Sequence, residues 1–269
     1  MYLEFFGLKE PPFNVTPDPR FLFLTDRHRE ALESLLYGIT ERKGFLVLTG
    51  EVGAGKTTLC RALLDRLPVE VRSALVLNPN LSDTQLLRAM LTDLGMPPAH
   101  RDRYGLMAQL NAYLLERMRR GENVVVVLDE AQNLSPGILE HIRLLSNLET
   151  DQRKLMQILL VGQPELDRRL ARPELRQFRQ RVMIRCALCP LDEAETAAYL
   201  EHRLRVAGAP PEVRFDASAS HVVYRCARGI PRLVNKVSDR ALLAAYAGGR
   251  RVVSREDARR AASEMESLL

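Results

Sequence analysis

Apolar and polar residues alternate in blocks along this chain, and the block lengths predict its elements. Phe45-Leu46-Val47-Leu48-Thr49 is a continuous apolar run that reads as a buried strand. A helix capped by Thr25 or Asp26 precedes it and runs to about Thr40, where Lys43-Gly44 breaks the pattern. A second helix follows from Lys56 to about Leu67. The alternation then repeats. Ser73–Asn78 is a strand, Ser82–Leu94 a helix opened by a capping serine, and Tyr104–Arg119 an amphipathic helix. Asn123–Leu128 is a Val/Leu strand, and Ser135-Pro136 opens a helix to about Leu148, with proline at the first helical position. Leu155–Val161 and Gln180–Leu188 are two further strands. Uninterrupted apolar strands between helices predict an α/β fold with a parallel five-stranded sheet covered on both faces.

The pattern changes after Pro190. Asp192–Val206, Ala217–Ala227, Arg232–Ala247 and Ser254–Ser267 read as helices with no strand between them. The sequence thus divides into residues 1–43, an arm and first helix; 44–190, the α/β core; and 191–269, a small all-helical domain. Residues 8–24 carry Pro11, Pro12, Pro17 and Pro19, and proline fixes φ and removes a donor, so this stretch is expected to be extended.

Composition narrows the class. Of 269 residues 46% are hydrophobic and 27% charged, which excludes a disordered or collagen-like chain. The net charge of +5 comes from 39 basic residues, of which five are lysines and the rest arginines. That balance suits phosphates and carboxylates but is too mild to establish nucleic-acid binding. Four cysteines are too few for a disulfide scaffold, and no apolar run approaches the ~18–20 residues of a membrane span. With no signal-peptide pattern at Met1–Gly7, the expectation is a soluble protein of a reducing compartment. Cys186 and Cys189 have metal-type spacing but no second ligand pair, and read as buried structural cysteines. His28 reads as a helix-surface residue.

The chemistry lies between the blocks. Gly50-Glu51-Val52-Gly53-Ala54-Gly55-Lys56-Thr57 follows a strand and opens a helix, and it matches G-x-x-x-x-G-K-[ST] at every fixed position. Its glycines let backbone N–H groups converge on phosphate oxygens, and the helix N-terminus adds partial positive charge. Lys56 would reach the β- and γ-phosphates of ATP, Thr57 would take a Mg2+ position, and Thr58 completes the nucleotide-binding set. Val124–Leu128 then ends in Asp129-Glu130. Asp129 would hold the magnesium, and Glu130 would orient and deprotonate the attacking water. A plain solvated loop is the competing reading of this pair, and the upstream phosphate loop outweighs it.

These motifs, the stretch Asp129-Glu130-Ala131-Gln132-Asn133-Leu134, the helical C-terminal domain and Gly229-Ile230-Pro231-Arg232 together resemble an AAA+ ATPase. Three further segments narrow the resemblance. They are the arm (Phe13, Pro17, Asp18-Pro19-Arg20, His28), Val161-Gly162-Gln163-Pro164-Glu165-Leu166, and Leu175-Arg176-Gln177-Phe178-Arg179-Gln180-Arg181. They are similar to the ATPases of the general secretion pathway protein A kind and their relatives in pilus and exopolysaccharide systems. The resemblance implies a P-loop core followed by a helical lid. It makes Gln163 a polar sensor of the γ-phosphate or attacking water, and Arg232 the sensor arginine of the lid. Arg179 first, and Arg181 second, would be the arginine presented to a neighbouring subunit's ATP, with a solvated charged face as the competing reading. Asn78, at the end of the second strand, would be a polar partner that restrains Glu130 until assembly, with a turn-forming asparagine as the stronger competing reading.

The resemblance further implies a nucleotide-dependent homo-oligomer at the cytoplasmic face of the inner membrane, working with a secretion or envelope-assembly partner. Members of this family often continue into a membrane span, so both a longer chain and a short relative docked on a membrane partner are open. The alternative is a DNA-associated AAA+ regulator of the transposition target-selector type, with Arg168-Arg169-Leu170-Ala171-Arg172 facing DNA.

Overall fold

The computed structural model describes residues 2–14, 18–77, 81–145 and 154–266; Asn78 lies outside them. In chain order the helices are α1 (Tyr2–Phe6), α2 (Asp26–Thr40), α3 (Lys56–Asp65), α4 (Asp83–Asp93), α5 (Arg103–Arg119) and α6 (Pro136–Leu145). They continue with α7 (Pro164–Leu170), α8 (Arg176–Arg179), α9 (Glu193–Val206), α10 (Ala217–Ala227), α11 (Pro231–Ala247) and α12 (Arg255–Glu266). The strands are β1 (Phe45–Gly50), β2 (Val71–Val76), β3 (Asn123–Leu128), β4 (Gln157–Gly162), β5 (Val182–Leu188), β6 (Arg214–Phe215) and β7 (Val252–Val253). The chain divides into two compact units: Arg27–Gly50 with Leu59–Leu188, and Met1–Asp26 with Glu51–Thr58 and Cys189–Leu269.

The first unit is built on the expected parallel five-stranded sheet, in the order β2-β3-β4-β1-β5. β1, β3 and β4 occupy its middle and are buried at every position, as their unbroken Val, Leu and Ile runs require. β5 is different. It has a neighbour on one side only, and its residues alternate between half-buried and exposed, with Met183, Arg185 and Ala187 facing out. The apolar core joins Phe45, Val126, Leu128 and Ile158 of the sheet to Met90, Leu110, Leu114 and Phe178 of the covering helices. Each such side chain contributes about 1.5–3 kcal/mol on burial. Helix starts are fixed by side chains. Ser82 and Gln85 form a reciprocal cap at α4. Asp102 accepts the Gly105 N–H at 2.9 Å at α5, and that bond holds its carboxyl below the usual range.

The amino end of this sheet is closed by a buried amide network. The Gly44 N–H donates to Gln157 Oε1 at 2.6 Å, and Gln157 Nε2 donates to Asn123 Oδ1 at 3.3 Å. Asn123 Nδ2 in turn donates to the Ile39 carbonyl at 2.7 Å. Gln157 is wholly buried and Asn123 nearly so.

His28 and the two closely spaced cysteines differ from expectation. His28 is buried, because it shares the inner face of α2 with Ala31, Leu32, Leu35 and Ile39 at helical spacing. Cys189 is exposed and Cys186 half-buried, because both lie at or beyond the edge strand; burial raises the Cys186 thiol. Among the described residues no three His, Cys, Asp or Glu side chains form a metal-binding group.

The second unit is helical, with one addition: β6 and β7 form a two-residue parallel pair. Its core contains Phe6, Phe13, Leu200, Val223, Val234 and Val237. The proline-rich arm is not extended throughout, since Pro19–Phe21 is a 3-10 turn in which the Asp18 side chain accepts the Arg20 N–H. Arg203 pins the arm. Its guanidinium donates to the carbonyls of Pro12 and Asn14 and lies 4.4 Å from the centre of the Phe21 ring. No described helix is long and apolar enough to cross a membrane.

Candidate phosphate-binding and hydrolytic site

β1 ends at Gly50, and the loop Glu51–Gly55 leads straight into α3 at Lys56. Gly53 has φ +82° and its bare α-carbon is needed twice over. A Cβ there would sit 2.6 Å from Cβ of Arg232. The Arg232 N–H donates to the Gly53 carbonyl at 3.3 Å. Arg232 follows Pro231 at the start of α11, so its backbone is fixed while its side chain remains exposed. Within this unit the structure therefore brings Arg232 to the loop. Ala54 and Lys56 are buried, whereas Glu51 and Val52 are exposed and Thr57 and Thr58 half-buried. Lys56 Nζ donates to the Glu51 carbonyl at 2.9 Å, across the loop. A lysine ammonium, a threonine hydroxyl and a helix N-terminus form a donor set that matches the anionic oxygens of a polyphosphate and the ion that accompanies it.

In the other unit β3 delivers two carboxylates. The Asp129 N–H donates to the Val76 carbonyl at 2.9 Å, continuing the ladder one residue past the strand, and Asp129 is buried. Its Oδ1 accepts the Glu130 N–H at 2.9 Å. Glu130 has φ +54°, ψ 34°, a left-handed conformation that costs a non-glycine residue about 1–2 kcal/mol. A 3-10 turn over Ala131–Asn133 follows, anchored by buried Ala131 and Leu134. Glu130 Oε2 accepts hydrogen bonds from Gln132 Nε2 at 2.5 Å and from Gln163 Nε2 at 3.4 Å. Gln163 precedes Pro164 at the start of α7, and its side chain makes no capping bond to that helix. The Gln163 N–H donates instead to Gln132 Oε1 at 3.1 Å. The structure thus gathers Asp129, Glu130 and Gln163 into one cluster and adds Gln132, whose role the sequence pattern does not signal.

Arg179 and Arg181 lie outside that cluster. Arg179 is exposed on α8 and donates to the Ala171 carbonyl at 3.2 Å. Arg181, just before β5, donates to the Arg143 carbonyl at 3.3 Å. Part of the basic stretch before them is engaged locally. Arg168 pairs with Glu165 at 2.5 Å and Arg169 donates to the Leu134 carbonyl. Another contact absent from the sequence reading holds the end of β1: Thr49 Oγ1 donates to Asp167 Oδ2 at 2.6 Å, and Arg185 approaches the other oxygen at 3.4 Å.

Comparison with known proteins places this architecture. A family model described as an AAA domain matches residues 39–170. The chain is 45% identical over all 269 residues to general secretion pathway protein A of Aeromonas hydrophila, and spans about half (49%) of that protein's length. Among solved structures, the ORC2 protein of Aeropyrum pernix in its ADPNP–ADP complexes superposes with a TM-score of 0.70 at 21% identity, over 96% of this chain and 72% of that one. Cdc6p of Pyrobaculum aerophilum gives 0.69 at 22%, over 92% and 70%. At such identities these two likenesses concern the fold, which is that of AAA+ proteins of the ORC/Cdc6 type. Residues 39–170 thus match an AAA domain, the fold is that of AAA+ proteins, and the whole chain is related to general secretion pathway protein A.

Proposed function

We propose that the chain binds ATP with Mg2+, hydrolyses it to ADP and phosphate, and uses the cycle to power assembly of a secretion or cell-envelope export system. The observation that carries the hydrolytic part is the Glu130 carboxylate, held by carboxamides at the end of a buried strand in a chain that also carries the complete phosphate loop. Gly50 to Thr58 take the phosphates, with Lys56 neutralising charge on the β- and γ-groups. Thr57 and Asp129 have the hard oxygen donors that magnesium takes; the ion would neutralise charge developing on the phosphates. Glu130 orients the attacking water and accepts its proton, Gln163 senses the γ-phosphate, and Arg232 reads the nucleotide from the lid, residues 191–269.

Arg179, or in second place Arg181, acts in trans on a neighbouring subunit's ATP within a homo-oligomer. Exposure of Arg179 suits that role. The relation to general secretion pathway protein A supports a place at the cytoplasmic face of the inner membrane beside an envelope-assembly partner. The DNA-associated reading is disfavoured because Arg168 and Arg169 are engaged locally.

Steady-state ATPase assays with Mg2+ test the reading. Lys56→Ala should lose nucleotide affinity, and Glu130→Gln should keep affinity and lose turnover. Normal turnover in a folded Glu130→Gln variant removes the hydrolytic assignment. Salt-sensitive binding to duplex DNA at physiological ionic strength would revive the alternative.

A further inference from the structure

We infer that Gln132 is the positioning residue for Glu130, and that it ties the direction of the catalytic carboxylate to the backbone at Gln163. This rests on the hydrolytic role proposed above for Glu130. A carboxamide has one donating and one accepting end, and here both are used in opposite directions. Nε2 donates to Glu130 Oε2 at 2.5 Å while Oε1 accepts the Gln163 N–H at 3.1 Å. The other donor to the same carboxylate oxygen, Gln163 Nε2, is farther away at 3.4 Å. The shorter bond therefore sets where the carboxylate points.

Two surrounding features are shaped to this bridge. Gly162 is the residue before Gln163, and a Cβ on it would lie 2.9 Å from Gln132 Oε1, so the bare glycine leaves the amide its place. The turn that carries Gln132 is rooted by Ala131 and Leu134 in the core, so the amide swings from a fixed base. The side chain of Glu130 has three rotatable bonds and would otherwise sample several directions, which costs catalysis when the base must meet one water. The bridge has a second consequence. Gln163 opens α7, so a displacement of the start of α7 is passed through one planar amide to the base.

The test uses the intact chain, Glu130→Gln and three further variants. Gln132→Met keeps length and volume but has neither a donor nor a strong acceptor. Gln132→Glu keeps the acceptor for the Gln163 N–H and replaces the donor by a like charge. Glu130→Gln/Gln132→Met places the first change where the base is already gone. The expected result is a fall in kcat on the order of 10-fold or more for Gln132→Met, with KM for ATP within about 2-fold and an unchanged melting temperature. Gln132→Glu should fall at least as far, because retaining the acceptor alone does not orient the carboxylate. In the Glu130→Gln background, measured by single turnover at high protein concentration, Gln132→Met should cause no further loss.

An unchanged kcat in Gln132→Met, or an equal further loss in the double variant, overturns the inference. Recovery of wild-type kcat in Gln132→Glu would also overturn it, since the donor would then be dispensable. A Glu130→Gln variant with full turnover would instead overturn the hydrolytic reading beneath it, so the two failures are told apart.

Discussion

The two ends of the central sheet use the same side-chain chemistry for opposite purposes. At the amino end Asn123 and Gln157 are buried, neutral, and bonded to each other and to the backbone at Gly44 and Ile39. At the carboxyl end Gln132 and Gln163 are half-buried and both donate to one oxygen of a carboxylate whose own backbone is left-handed. The first arrangement closes: its amides meet backbone groups that burial would otherwise leave unsatisfied, and it locks the start of β1 to β4. The second is poised. It holds a charge at the surface of the core, with a strained residue in its midst and a glycine cleared out of the way. Carboxamides serve stability where they are sealed in and chemistry where they are left half open.

If that contrast is right, each end should answer to a different measurement. The largest effect belongs to the carboxyl end. Glu130→Gln should lower kcat by about 10²–10⁴-fold, the range of a general base, while leaving the urea midpoint nearly unchanged. A large loss of stability in that variant would blur the contrast. Next comes Gln157→Leu, which keeps volume but orphans the buried Gly44 N–H and removes one of the donors to Asn123 Oδ1, leaving it the Val124 N–H. It should cost roughly 1–3 kcal/mol in urea unfolding, with normal turnover per folded molecule. Smaller again is Glu130→Asn. Asparagine tolerates the left-handed region, so this inactive variant should gain on the order of 0.5–1 kcal/mol in the same titration. The smallest effect is the sharpest check. Gln157→Leu and Glu130→Gln lie at opposite ends of six-residue strands, and their stability changes should add to within about 0.5 kcal/mol.

Much of this was legible in the residues, and the exceptions have physical causes. β3 lies where the Val/Leu run predicts, because a strand covered on both faces must be apolar throughout. α10 matches its expected span for the parallel reason that one face of it enters a core. β2 begins at Val71 rather than Ser73, because it is an edge strand that tolerates the exposed Arg72. α7 and α8 are too short, at seven and four residues, to show a helical period. The phosphate loop and the Asp129-Glu130 pair are legible because they are contiguous and flanked by the elements their chemistry needs. Gln132 was not, since what defines it is a bond to a backbone group 31 positions away. The buried side of α2 likewise hides His28 from a reading that weighs histidines one at a time.

The arm held by Arg203 has a consequence for how the chain comes into being. The carbonyl of Pro12 is bonded to a guanidinium 191 residues later in the sequence. At roughly 5–20 residues per second, a ribosome takes about 10–40 s to cover that distance. For that interval Phe6, Phe13 and Phe21 are outside any finished core, since the other buried members of their cluster begin at Leu191. The arm is thus made well before the residues on which it docks. During synthesis its three phenylalanines therefore remain an uncovered apolar surface until the residues from Leu191 to Met265 that complete their cluster have been made.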